Sequence, residues 1–89
     1  MKIHVKNYLN YFDLGEQDFI ICEYSFVKLG AYIQASDVHH IVYRSHGGSD
    51  EIENCIALSR DMHNKAHNEQ ISKDELKEIH LEFLTNNIY

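Results

Sequence analysis

Two pairs of histidines constrain the fold of this chain more than any other feature. His39 and His40 are adjacent in Val38–Tyr43, a run that predicts a strand. His63 and His67 lie four residues apart in a helix predicted over about 60–69. Residues four apart share one helix face, whereas neighbours on a strand point to opposite faces. One of His39 and His40 can therefore join His63 and His67 around a single ion while the other points elsewhere. Three neutral imidazoles with coordination positions left open are the pattern of a catalytic rather than a structural zinc. A histidine pair at this spacing also arises by chance on surface helices. All four histidines around a Gly-Gly loop and an asparagine are much harder to dismiss that way.

The segments between the pairs read consistently with this. Ser45-His46-Gly47-Gly48-Ser49-Asp50 is a loop, its glycines supplying backbone freedom. Cys55-Ile56-Ala57-Leu58 is a short strand, and Ser59 is a suitable N-cap for the helix that follows, with Asp61 in its first turn. The order is strand, loop, strand, helix. Upstream, Val5, Tyr8, Leu9 and Phe12 recur with helical spacing up to Gly15, which is expected to end that helix. Phe19-Ile20-Ile21 and Ala31-Tyr32-Ile33 read as strands, and residues 26–36 as an extra strand or hairpin. Downstream, Ser72-Lys73-Asp74-Glu75 is a capping box opening a helix over about 72–86. Leu76, Ile79, Phe83 and Leu84 form its apolar side, widened by Leu81 and Ile88.

With 89 residues the chain is expected to form one domain, 1–89, at the size where a core is thin. Two cysteines, Cys22 and Cys55, are too few for a disulfide framework or a four-thiolate zinc site. No stretch approaches the ~18–20 apolar residues of a membrane span, and Met1–Lys6 lacks the apolar run of a signal peptide. A cytoplasmic protein with reduced thiols is expected. The net charge of −6 opposes nucleic-acid binding, which ordinarily uses a basic surface. Partly charged histidines and a bound divalent ion reduce that opposition.

The chain resembles the HNH endonuclease family. The resemblance rests on Asp37-Val38-His39-His40-Ile41, Arg44-Ser45-His46-Gly47-Gly48-Ser49-Asp50, Glu53-Asn54-Cys55-Ile56-Ala57-Leu58-Ser59 and Met62-His63-Asn64-Lys65-Ala66-His67, about residues 37–67. The opening segment, Tyr8–Phe12 and Asp18–Ile20, is more weakly similar to the leader of small phage-associated members. What the resemblance implies is an α+β fold, a small ββα-metal core with an added N-terminal helix and C-terminal helix. It implies metal-ligand positions at His39, His63 and His67, a general base at His40, and the middle asparagine of the name at Asn54. The activity implied is metal-dependent hydrolysis of DNA phosphodiester bonds, giving a 5′ phosphate and a 3′ hydroxyl. A histidine suits proton abstraction near neutral pH, and a metal stabilises charge developing on phosphate oxygens. Asn54 would be structural, bonding backbone across the loop. Arg44 and Lys65 are candidates for phosphate contact, although each also reads as an ordinary solvated charge. His46 reads as an exposed loop histidine, and His4 and His80 lie outside the motif.

The chain departs from the family where many members carry two C-x-x-C pairs. The corresponding positions are Cys22 with Ser25, and Ser59 with Met62, which argues against a structural zinc. Ser59 is instead expected to cap the histidine-bearing helix, and Met62 with Ala66 to fill the space. The cofactor expected is one divalent ion, zinc or nickel for binding, with magnesium or manganese for turnover. DNA is the expected partner, and a homodimer through the last helix is a natural way to span two strands. A reading from another class is an HNH-fold binding module with weak or no cleavage. Its acidic surface would meet a phage packaging component or a basic host protein.

Overall fold

The computed structural model describes residues 1–89 and has the order α1 (Ile3–Tyr11), α2 (Glu23–Leu29), β1 (Asp37–His40), β2 (Cys55–Leu58), α3 (Arg60–His67) and α4 (Lys73–Thr85). Single 3-10 turns at Arg44–His46 and Ile52–Asn54 punctuate the connection between the strands. The fold is α+β, with a two-stranded antiparallel sheet and α3 as the ββα core, flanked by helices on both sides in sequence. No helix is long and apolar enough to cross a membrane.

The sheet organises two apolar layers through strand alternation. The register pairs Asp37 with Leu58, Val38 with Ala57, His39 with Ile56 and His40 with Cys55. All four β2 residues are buried. Ile56 and Leu58 pack with Ile41, Ala66, Ile71, Leu76 and Ile79, whereas Cys55 and Ala57 pack with Tyr8 of α1. One short strand thus supplies the contact surface for helices on either side, as its period of two requires.

The helices begin where their caps dictate. Ser59 Oγ accepts from the Met62 N–H, and Ser72 Oγ accepts from the Glu75 N–H. Such caps contribute about 1 kcal/mol each. The last helix buries Leu76, Ile79 and Phe83 as the spacing predicts, and it also buries His80. Leu81 remains exposed.

The segment before the core differs from expectation. Residues 26–36 do not form a strand or hairpin. Their first part belongs to α2, which Gly30 terminates in the left-handed region at φ 65°. A glycine at that position carries no Cβ penalty. The expected strands at 19–21 and 31–33 reduce to one antiparallel bridge, Ile21 with Gln34. Hydrogen bonds from Cys22 N–H to Ile33 O and from Ala35 N–H to Ile20 O flank it. Helix α2 fills the space between, so the ladder has no room to extend. Strand β1 also stops earlier than expected, at His40, because the Val42 backbone is bonded to the Asn54 side chain rather than to a strand. Helix α1 ends before Gly15; Asp13 takes the left-handed turn at φ 56°.

The positions of the missing cysteine pairs are filled by packing. Ser25 Oγ donates to Cys22 Sγ at 3.3 Å, and Met62 lies against the main core. Cys22 and Cys55 are both free, buried thiols. Burial, reinforced by neighbouring carboxylates, pushes the Cys55 thiol up to about 12, leaving it inert.

Candidate functional site

Strand alternation separates His39 from His40, and each meets a different helix. His39 faces α3, its ring 5.0 Å from that of His63 and 5.3 Å from that of His67. One ring nitrogen from each of the three lies within 4.8 Å of the others. His40 faces α1 instead, where its ring stacks on His4 with centroids 4.1 Å apart. Both groups line one cleft of about 850 Å³, floored by β1 and walled by the start of α1.

The three imidazoles suit a divalent ion chemically. An imidazole must be neutral to bind a metal, and burial, assisted by the charges of His63 and His67, holds His39 down at about 4. Asp37 accepts a hydrogen bond from His63 Nδ1 at 3.0 Å, which leaves Nε2 as the free donor to a metal. A carboxylate behind a ligating histidine is the usual device for fixing tautomer and ring orientation. Asp37 is in turn paired with Arg60 at 3.3 Å. His67 Nδ1 lies 3.4 Å from the Tyr43 hydroxyl, and the two rings stack. The donor set could therefore hold a divalent ion through three nitrogens and leave further positions for water or phosphate.

His40 sits in a different polar setting. Its Nε2–H donates to Asp50 Oδ1 at 2.8 Å. That bond, with the Arg44 charge nearby, holds the Asp50 carboxyl below its ordinary value. His4 is buried and donates from Nε2 to the Val38 carbonyl at 2.9 Å, tying α1 to β1. Burial lowers the pKa of His4 and keeps it neutral.

Asn54 is the keystone of the loop between the strands. Its side-chain oxygen accepts from Val42 N–H, and its amide donates to the carbonyls of Val42 and Ser49. Both edges of the loop are thereby fixed beside His40. The two glycines differ in purpose. Gly47 requires its freedom, at φ 86°, whereas a Cβ on Gly48 would fall 1.8 Å from the Val42 carbonyl oxygen. Close approach of backbone, rather than torsional freedom, demands glycine at the second position.

The candidate phosphate contacts separate. Arg44 lines the cleft and is mostly exposed, with a long 3.8 Å contact to Asp50. Lys65 pairs with Asp61 one turn away on α3 and does not line the cleft. Lys73, over the Tyr43 ring at 5.3 Å, and Arg60 stand nearer to it through their partners. Lys2 lines it directly. His46 is an exposed loop residue near Tyr43.

Several residues at or beneath the site were not singled out by sequence. Asp37 and Asp50 stand inside the motif, and only their bonds to His63 and His40 distinguish them from surface acids. His4, Asn7 and Tyr43 come from positions whose spacing carries no signal. Against β2, Glu23 is fully buried and accepts from Tyr8 hydroxyl at 2.5 Å, from His80 Nδ1 at 2.7 Å and from Ala57 N–H at 3.2 Å.

The chain matches the family model described as HNH endonuclease over residues 20–69, more than half of its length. The matched span contains both strands, α3 and all four histidines of the motif. The chain belongs to the HNH endonuclease family. Comparison with curated proteins and with solved structures gave no match.

Proposed function

We propose that this chain is a metal-dependent endonuclease that hydrolyses DNA phosphodiester bonds, with His40 as general base. The observation that carries this reading is the division of labour on β1. His39 joins His63 and His67 in a three-nitrogen cluster, while His40, one residue on, lines the same cleft and is kept out of that cluster.

His39, His63 and His67 would hold the divalent ion, which when bound would supply positive charge to stabilise the phosphate as charge develops. The remaining steps belong to the chain itself. His40 has its Nε2 committed to Asp50, so Nδ1 is the nitrogen that accepts a proton from the attacking water. Asn54 holds the loop that carries Asp50 and so maintains the geometry of the base. Arg44, exposed at the cleft edge, supplies a phosphate contact; Lys65, engaged with Asp61, is not assigned one. The base and the metal cluster lie on opposite faces of one short strand and so are fixed relative to each other.

The formal charge of −6 favours the rival reading of a binding module for a protein partner. The distribution of charge counters it. Lys2, Arg44, Arg60 and Lys73, half of the eight basic residues, stand in the cleft or against residues that line it. Of the three acids there, two are engaged, Asp37 by His63 and Asp50 by His40, and Glu16 is exposed.

The test is plasmid nicking by metal-stripped protein supplied with single divalent ions, beside His40→Ala. The expected result is metal-dependent cleavage that falls about 10²–10⁴-fold in the variant, with metal affinity retained. Cleavage by the variant at the wild-type rate would remove His40 as base. No cleavage with any ion would favour the binding module.

A further inference from the structure

We propose that Asp50 is the positioning residue for His40, holding its ring through the Nε2–H with His4 as the wall behind it. This rests on the reading of His40 as general base and adds to it the group that aims that base.

Three observations converge on this assignment. Asp50 Oδ1 and His40 Nε2 are 2.8 Å apart, and a carboxylate can only accept, so the proton is on Nε2. That leaves Nδ1 as the sole basic atom of the neutral ring, and it has no hydrogen-bond partner within the protein. The His40 ring is backed by His4, whose tilted ring lies 4.1 Å away and is itself anchored to the Val38 carbonyl, which restricts rotation away from Asp50.

Asp50 is built to stay in place. Asn7 of α1 donates to its backbone carbonyl at 3.0 Å, and Asn54 donates to the carbonyl of the preceding residue, Ser49, at 2.8 Å. Two asparagines from different elements thus fix the backbone that presents the carboxylate. Arg44 approaches the same carboxyl oxygen from solvent. Helix α1, which lies wholly outside the span matched to the family, therefore contributes His4 and Asn7 to the alignment of the base. A base held in one orientation needs no reorganisation when water binds, which is the advantage of preorganisation.

The experiment has an activity arm and an arm independent of activity. Asp50→Ala is expected to lower kcat about 10–100-fold, the scale seen when a histidine's orienting partner is removed, with KM and metal affinity unchanged. Asp50→Asn, whose amide oxygen still accepts from Nε2, should recover most of that loss. Placed in the His40→Ala background, Asp50→Ala should cost nothing further, since it acts only through His40. In metal-free, ¹⁵N-labelled protein, the Nε2–H proton of His40 should appear as a protected, hydrogen-bonded resonance. It should be lost in Asp50→Ala and kept in Asp50→Asn. Additive losses in the double variant, or no protected Nε2–H in the wild type, would overturn the assignment. So would binding of a second ion per chain that Asp50→Ala abolishes, because His4, His40 and Asp50 would then be ligands. Absence of cleavage by the wild type, with the protected proton present, would instead bring down the nuclease reading and leave the clamp standing.

Discussion

Two histidine-bearing regions flank the small sheet, one along β1 and the other against β2, and burial acts on them in opposite ways. In the cleft, His39 is buried, its ring faces the imidazoles of His63 and His67, and burial holds it neutral at about 4. Against β2, His80 is equally buried, yet both of its nitrogens donate, Nδ1 to Glu23 at 2.7 Å and Nε2 to the Ile52 carbonyl at 2.6 Å. Burial alone would lower the pKa of His80, but the Glu23 hydrogen bond and charge outweigh it and the net shift is upward. Glu23 is pushed up by its own burial and opposed by its three donors, so the pair is best described as imidazolium and carboxylate. The difference teaches that burial does not decide what a histidine does; the acceptors facing it do. A neutral ring facing other imidazoles is available to a metal, whereas a charged ring facing a carboxylate and a carbonyl is a structural fastener.

The fastener joins much of the molecule. Glu23 starts α2, Tyr8 belongs to α1, His80 to α4 and Ala57 to β2. Many relatives use a structural zinc near this part of the chain. Here the positions of those cysteines are occupied by Cys22, Ser25, Ser59 and Met62, and the buried hub lies beside them.

The sharpest break between the two regions comes from stability. Glu23→Ala leaves a buried imidazolium and a buried tyrosine hydroxyl unpaired, a change expected to cost about 3–5 kcal/mol. Urea denaturation should show a much lower midpoint for this variant, since a domain of this size has only roughly 5–15 kcal/mol of stability in total. His63→Ala should leave the metal-free fold near wild type, and an equal loss of stability would erase the distinction drawn here.

Metal supplies the next effect. At a free ion concentration of about 100 times Kd, binding should stabilise the wild type by about 2.7 kcal/mol. Thermal melts should register this in the wild type and not in His63→Ala, whereas Tyr8→Phe should keep it. The loop comes third. Asn54→Ala strands two carbonyls and one N–H, and Gly48→Ala forces a Cβ into the Val42 carbonyl. Each is expected to destabilise by about 1–3 kcal/mol and to lower cleavage, measured by urea midpoint and nicking rate.

The two regions should also give stability opposite dependences on pH. The His39 pKa is depressed in the folded state, so between about 4 and its unfolded value near ~6.5 the unfolded chain binds more protons. Its contribution to stability therefore grows as pH rises through that window. The His80 pKa is raised, so its contribution is full below ~6.5 and is lost as pH rises through the folded value. Urea midpoints across pH should flatten on the alkaline side in His80→Gln and on the acid side in His39→Gln. The smallest effect should be at Lys65, whose exposed pair with Asp61 is worth at most about 0.5 kcal/mol. Lys65→Ala should change neither stability nor cleavage appreciably, unlike Arg44→Ala, which should weaken cleavage.

Much of the site was legible before any coordinates. Spacing alone puts His63 and His67 on one face, and strand alternation sends His39 and His40 apart; the structure does both. The caps at Ser59 and Ser72 are local signals and hold. Helix α2 was missed because Phe26, Val27 and Leu29 are as suited to a strand as to a helix, and residues 20–22 and 33–35 do meet in extended conformation around it. Local pattern cannot choose between such readings when tertiary packing sets the outcome.

What the sequence by itself determined is the chemistry that lies within one element or one turn. This includes two histidines sharing one helix face, a third on a strand, a loop that needs glycine, and an asparagine to brace it. What only the tertiary structure decided is which distant polar groups face each histidine. Glu23 and His80 are 57 positions apart, His4 and Val38 are 34 apart, and Asn7 and Asp50 are 43 apart. No periodicity connects such positions. Whether a buried imidazole is neutral or charged depends on the acceptors that the fold brings to it. Those acceptors come from α2, β1 and the connection between the strands, which are assembled only when the helices close over the sheet.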